Sequence, residues 1–212
     1  MKLYSFAQSS ASYRVRIGLA LKGLEAEIIP ISLLDNSHQS EEYRSINPQG
    51  RVPFLVDGDV RLSQSLAILD YLEETNPASS LYPETPYERA KCRAFAHVIA
   101  SDIFPLQNLS TRKKLAADFG ADEAAQANWS ADWIAKGFAS LEHELCRENK
   151  IADNGYLFAE YPTLADICLV PQMRNARRYG VDLSLFPRLV SFDAKASEHE
   201  AFTSTAPETQ VG

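Results

Sequence analysis

Arg51-Val52-Pro53-Phe54-Leu55-Val56-Asp57-Gly58-Asp59-Val60-Arg61-Leu62-Ser63-Gln64-Ser65 decides how this chain folds. Val52–Val56 has the apolar, β-branched character of a strand. Asp57-Gly58 has the composition of a hairpin turn, and Val60–Leu62 that of the partner strand. Pro53 breaks the pattern, because proline has no N–H to give to a ladder. A proline in such a run belongs at an edge, a bulge or a cis peptide bond. We read the Val52–Pro53 bond as cis. Ser65 or its neighbour then opens a helix through Leu66, Leu69 and Leu72, which Asn76-Pro77 ends.

Upstream, Lys2–Phe6 reads as a short strand. Ser9, Ser10 and Ser12 supply start-of-helix chemistry, Val15, Leu19 and Lys22 follow at helical spacing, and Gly23 stops the helix. Glu27–Ile31 reads as a second strand, so the two form a right-handed parallel unit. Asp35–Tyr43 is polar, a loop with a helical turn, and Asn47-Pro48-Gln49-Gly50 is a turn. A β-α-β unit followed by β-β-α, with a cis proline at the third strand, is the order of a thioredoxin-like α/β domain. Downstream, Pro83 and Pro86 among small polar residues suit a linker. Beyond Tyr87 the period is helical over Arg89–Leu106, Asp122–Leu145, Leu164–Tyr179 and Arg188–Phe202, with a loose polar tail after Pro207. The expected organisation is therefore an α/β domain over 1–77, a linker over 78–86 and an all-α domain over 87–212. Thr163-Leu164-Ala165-Asp166 reads as a capping box with Asp in place of Glu, a folding device.

Composition removes several function classes. The 28 acidic residues outnumber the 21 basic ones, for a net charge of -7, which disfavours nucleic acid or an anionic membrane as partner. No run of about 18 apolar residues exists to span a bilayer. Cys92, Cys146 and Cys168 are widely spaced, which points to free thiols in a reducing, cytoplasmic compartment. The four histidines have no metal-ligand spacing, so no metal site is expected.

Several segments together resemble the zeta class of the glutathione S-transferases. Ser9-Ser10-Ala11-Ser12-Tyr13-Arg14-Val15-Arg16-Ile17 is similar to the class's serine-rich helix start, and Asn47-Pro48 with Val52-Pro53 to its glutathione loop. Ser63-Gln64-Ser65-Leu66-Ala67-Ile68 resembles its glutamyl-binding turn. Pro105-Leu106-Gln107-Asn108-Leu109-Ser110 and Leu164-Ala165-Asp166 with Leu169-Val170-Pro171-Gln172 resemble its helical part. The resemblance runs over nearly the whole chain and implies the glutathione S-transferase fold, glutathione as cofactor, a small electrophilic substrate and a homodimer. It implies that Val52 and Pro53 offer backbone groups to the tripeptide, and that Gln64 and Ser65 hold its glutamyl carboxylate at a helix start. It gives Ser9, with Ser10 next, the stabilising of the thiolate. Gln107 and Asn108 are assigned to glutathione, and Arg178 to a substrate carboxylate. A contribution of Arg14, Arg16 and Arg177 to the same carboxylate stays open, with a solvated helix face the favoured reading for each.

The sequence departs from the class at a few places. Ala11 replaces a common cysteine, Phe104 stands where His or Gln is usual, and Gln8 and Ser110 stand where maleylpyruvate-type relatives carry arginine. The implied activity is glutathione-dependent cis–trans isomerisation of a maleyl keto acid, of maleylacetoacetate or maleylpyruvate type. Two other readings stay open: a zeta-like transferase or dehalogenase acting on small α-halo acids or other electrophiles, and a non-catalytic glutathione-binding module.

Overall fold

The computed structural model describes residues 1–149 and 155–210. These divide into two compact units: Met1–Leu81 together with the segment from His199, and Tyr82–Glu198.

The first unit holds four short strands, β1 (Lys2–Ser5), β2 (Glu27–Pro30), β3 (Phe54–Asp57) and β4 (Val60–Ser63). They lie in the order β2-β1-β3-β4. β1 and β2 are parallel, across the connection made by α1 (Ser10–Leu21). β3 runs antiparallel to β1 and to β4. The Val52–Pro53 peptide is cis, and the third strand starts at Phe54, two residues later than the apolar run suggests. Pro53 cannot donate to a ladder, so pairing begins after it.

α1 and α3 (Ser65–Thr75) pack together on the sheet. Their apolar residues Val15, Leu19, Ile68 and Leu72 close over Leu3 of β1 and Leu55 of β3 to make the core of this unit. The two helices approach closely at Gly18, where an added Cβ would lie 2.1 Å from Leu69 Cδ2. At the end of α1 the buried Lys22 Nζ donates to Glu73 Oε2 at 2.8 Å and to the carbonyls of Asn76 and Ser79. Glu73 also accepts from the Ser80 hydroxyl and the Leu81 N–H. Neither buried charge is left without partners, which is the condition for burying them. The polar stretch before Asn47 holds a 3-10 turn (Ser37–Gln39) and the helix α2 (Glu41–Ile46), capped by Ser40.

The second unit is helical: α4 (Pro86–His97), a π turn (Val98–Ile103), α5 (Phe104–Gln107), α6 (Leu109–Phe119), α7 (Glu123–Arg147), α8 (Leu164–Arg178) and α9 (Pro187–Ala196). Its core is built from Phe95, Ile99, Ile134, Phe138, Ile167, Leu169, Met173 and Phe192. At the start of α8, Asp166 Oδ2 accepts from the Thr163 N–H at 2.8 Å, the reach-back of the expected capping box.

Three parts of this organisation correct the sequence reading. α6 was not expected, and it buries no residue, so it leaves no apolar stripe to read. It is held instead by its ends, with the Asn108 side chain at the start and Gly120 at φ +66 after the last turn. The helix expected over Arg188–Phe202 is two, because the His199 ring accepts from the Ala201 N–H and starts α10 (Glu200–Thr203) afresh. The C-terminal segment, expected within the all-α span 87–212, belongs to the first unit up to its last described residue, and positions 211–212 lie outside the described residues. Tyr13 Oη donates to the Phe202 carbonyl at 2.6 Å and Arg16 Nε to the Thr205 carbonyl at 3.0 Å, which ties that segment to α1. Among the described residues no helix is long and apolar enough to cross a membrane.

Candidate active site

The sheet register brings three loops together. Tyr4 pairs with Phe54, and Phe54 with Ser63. The end of β1, the start of β3 and the end of β4 therefore share one edge of the sheet. From that edge leave the turn to Ser9, the cis Val52–Pro53 bond and the Gln64–Ser65 entry into α3. Residues far apart in sequence thus meet at one end of the first unit.

Ser9 is the N-cap of α1, and its Oγ accepts from the Ser12 N–H at 3.2 Å. A capping hydroxyl spends a lone pair on the helix and keeps its O–H to donate outward. Ser9 is half-buried, and Ser10, the first helical residue, is buried. The positive end of a 12-residue helix lies beside both. A hydroxyl donor with a helix N-terminus favours an anion, a thiolate included.

The Val52 N–H and C=O have no hydrogen-bond partner among the described residues. They form an open donor–acceptor pair next to a strand start, as an extended peptide requires. The loop bearing them is fixed from behind. Asn47 Nδ2 and Tyr43 Oη both donate to the Arg51 carbonyl, at 2.7 and 2.6 Å, and Gln39 Nε2 donates to the Gly50 carbonyl.

Gln64 sits at φ +71, outside the regions that a non-glycine residue prefers, and no side chain caps α3. The first-turn amides of α3 are thus left without a protein cap, beside the positive helix end. Gln64 Nε2 donates to Gln49 Oε1 at 3.2 Å, which turns the carboxamide toward the 47–51 loop. The Ser65 hydroxyl is buried and accepts from Arg14 Nη1 at 3.5 Å. An extended tripeptide with a free glutamyl carboxylate and a thiol fits this set: an open backbone pair for its middle, an uncapped helix start for its carboxylate, and a hydroxyl at a second helix start for its sulfur.

Arg14 and Arg16 correct the expectation of a solvated face, since they are 1% and 3% exposed. Arg16 donates to Ser5 Oγ, to the Ala7 carbonyl and to the Thr205 carbonyl. It holds the turn that aims Ser9. Spacing alone gave no sign of this, because two of the three Arg16 acceptors are main-chain carbonyls that no sequence pattern marks.

Three sequence-predicted residues lie in the helical unit. Gln107 is buried, and its amide exchanges two hydrogen bonds with Gln172, at 2.7 and 3.0 Å. Asn108 Oδ1 caps α6, accepting from the Thr111 N–H and the Ser110 hydroxyl. Both side chains have hydrogen-bond partners within the helical unit, as a buried amide and a helix start require. Arg178 is exposed in the last turn of α8, with its guanidinium carbon 5.7 Å from the centre of the Tyr179 ring. Arg177 is exposed, as expected, and pairs with Asp193. Cys92 is buried and its thiol is pushed up to about 12, first by desolvation, which makes it an inert core residue.

Residues 1–74 match the family model of the glutathione S-transferase N-terminal domain. A maleylacetoacetate isomerase of Rhizobium meliloti is 42% identical over 97% of this chain and 95% of its own. The chain belongs to the zeta-class glutathione S-transferase family. Within the class, the fold superposes on the holo structure of a bacterial maleylpyruvate isomerase with a TM-score of 0.93, at 40% identity over 99% of this chain and 98% of that one. A maleylacetoacetate isomerase of Methylobacterium extorquens AM1, solved with malonate and glutathione, gives 0.94 at 33% identity, covering 100% of this chain and 99% of that one.

Proposed function

We propose that this protein is a glutathione-dependent cis–trans isomerase of a maleyl keto acid. The observation that carries the reading is the gathering of Ser9, the open Val52 backbone pair and the uncapped start of α3 at one edge of the sheet, in a chain related over its full length to zeta-class isomerases. Bound glutathione supplies a thiolate that adds to the conjugated double bond and leaves after rotation about it. The Ser9 hydroxyl and the start of α1 hold that sulfur ionised. Val52 binds the cysteinyl backbone, and Gln64 with Ser65 the glutamyl end. Arg178 binds a substrate carboxylate through its two-pronged guanidinium. In this reading residues 1–77 hold glutathione and the helices from 87 on hold the acid. Malonate bound with glutathione in a relative is consistent with a carboxylate substrate.

The test is loss of the cis isomer of maleylacetone with and without glutathione. Conversion that requires glutathione is expected, with kcat/KM lowered about tenfold to a hundredfold in Arg178→Ala, the value of a hydrogen-bonded charge. A protein that binds glutathione and leaves the substrate unchanged refutes the reading. The departures at Ala11 and Phe104 favour a second one, displacement of halide from a small α-halo acid by the same thiolate, and turnover of such an acid alone would select it. We place the protein in the cytosol, a reading supported by its three free cysteines, and take it as a homodimer, as the resemblance to the zeta class implies. Light scattering should return twice 23.6 kDa, and a mass of one chain refutes the dimer.

A further inference from the structure

The helical unit carries a cationic pair that the proposed function does not use in full. α6 begins at Leu109 and places Arg112 one turn in, while α8 ends at Arg178 and runs into Tyr179. The guanidinium carbons of Arg112 and Arg178 lie 5.4 and 5.7 Å from the centre of the same Tyr179 ring. Among the described residues neither arginine makes an ion pair. The Arg112 Nε–H is buried and has no acceptor.

Each of these features is unfavourable by itself. Two like charges on one ring repel, and the ring face attracts a cation without accepting its in-plane N–H groups. A cation near the start of α6 also meets the positive end of the helix dipole. A buried donor without acceptor costs the desolvation of that group. An anion bound beside the two guanidiniums would offset their uncompensated charge. A carboxylate is the natural partner of a guanidinium fork and is itself favoured near a helix start.

We infer that Arg112 is a second carboxylate-binding arginine, gathered with Arg178 at the Tyr179 ring, and that it sets a preference for substrates with two carboxylates over those with one. This rests on the isomerase reading only for the identity of the substrate. The chemistry recognised is a small dicarboxylate.

The test compares Arg112→Leu, Arg112→Lys and wild type on maleylpyruvate, which has two carboxylates, and on maleylacetone, which has one. It adds calorimetric titration of malonate into each glutathione-loaded protein. In Arg112→Leu, kcat/KM for maleylpyruvate is expected to fall about tenfold further than that for maleylacetone, mostly through KM. Malonate affinity is expected to fall about tenfold, with Arg112→Lys between the two because it keeps the charge and loses the fork. Equal losses on both substrates, or unchanged selectivity, would overturn the pairing. If the wild type turns over neither substrate, the isomerase reading falls alone. Malonate titration then decides the pairing, and equal affinities of wild type and Arg112→Leu refute it.

Discussion

Asp166→Ala is expected to lower the thermal midpoint by roughly 10 °C. The Asp166 carboxylate is fully buried and accepts three hydrogen bonds, from the Leu157 N–H at 3.1 Å and from the Thr163 N–H and hydroxyl, both at 2.8 Å. Alanine leaves two buried backbone donors without acceptors, each costing about 1–3 kcal/mol. In a chain of this size 1 kcal/mol moves the midpoint by about 2–4 °C. Differential scanning calorimetry of the two proteins measures the loss, and a shift of only about 2 °C would mean that other acceptors take over.

The same residue predicts a pH dependence of definite sign. Burial, the largest influence, pushes the Asp166 carboxyl from 3.8 up to about 6, against the hydrogen bonds that favour its ionised form. Its folded value is therefore the higher one, and between the two values the folded state binds the proton more tightly. The stability it contributes is greatest below 3.8 and declines as pH rises toward about 6. Asp166→Asn cannot titrate, so the advantage of wild type over that variant should narrow across this window and stay level above it. Urea midpoints of both proteins through the window check this. A gap that stays constant would show that the three donors keep the carboxylate ionised throughout.

Ser9→Ala is expected to raise the thiol pKa of bound glutathione by about one to two units, the worth of a hydrogen bond to a charged group. At neutral pH the turnover of maleylacetone should then fall roughly tenfold to a hundredfold. Ser9 also caps α1 through Ser12, so its loss costs about 0.5–2 kcal/mol of stability by a separate route. The two effects part company with pH. If Ser9 acts on ionisation, the rate deficit closes at about pH 9, where the thiol ionises unaided. A deficit that persists there would mean that fraying of the helix, and not the lost donor, slows the reaction. Thiolate absorbance of the loaded protein reads the pKa directly.

Local chemistry was enough for much of this protein. Pro53 inside an apolar run announced a cis bond, Ser9 announced a helix start, and Thr163 with Asp166 announced a cap. These are decided by a residue and its near neighbours, because the lack of an N–H, a short hydroxyl or a carboxylate three positions on acts within one turn. α6 was illegible for the same reason turned round, since none of its residues is fully buried and it leaves no apolar period to find.

What the sequence by itself determined was therefore the order of elements, their caps and the residue types suited to a thiol tripeptide. Only the tertiary structure decided which residues meet. Strand register put Ser9, Val52 and Gln64 at one edge, carbonyls distant in sequence buried Arg16, Gln172 turned Gln107 inward, and one tyrosine ring gathered Arg112 with Arg178. The physical reason is that a side chain's role depends on the acceptors, charges and water around it. For each of these residues the deciding neighbour is remote in the chain and is supplied only when the helices and strands pack.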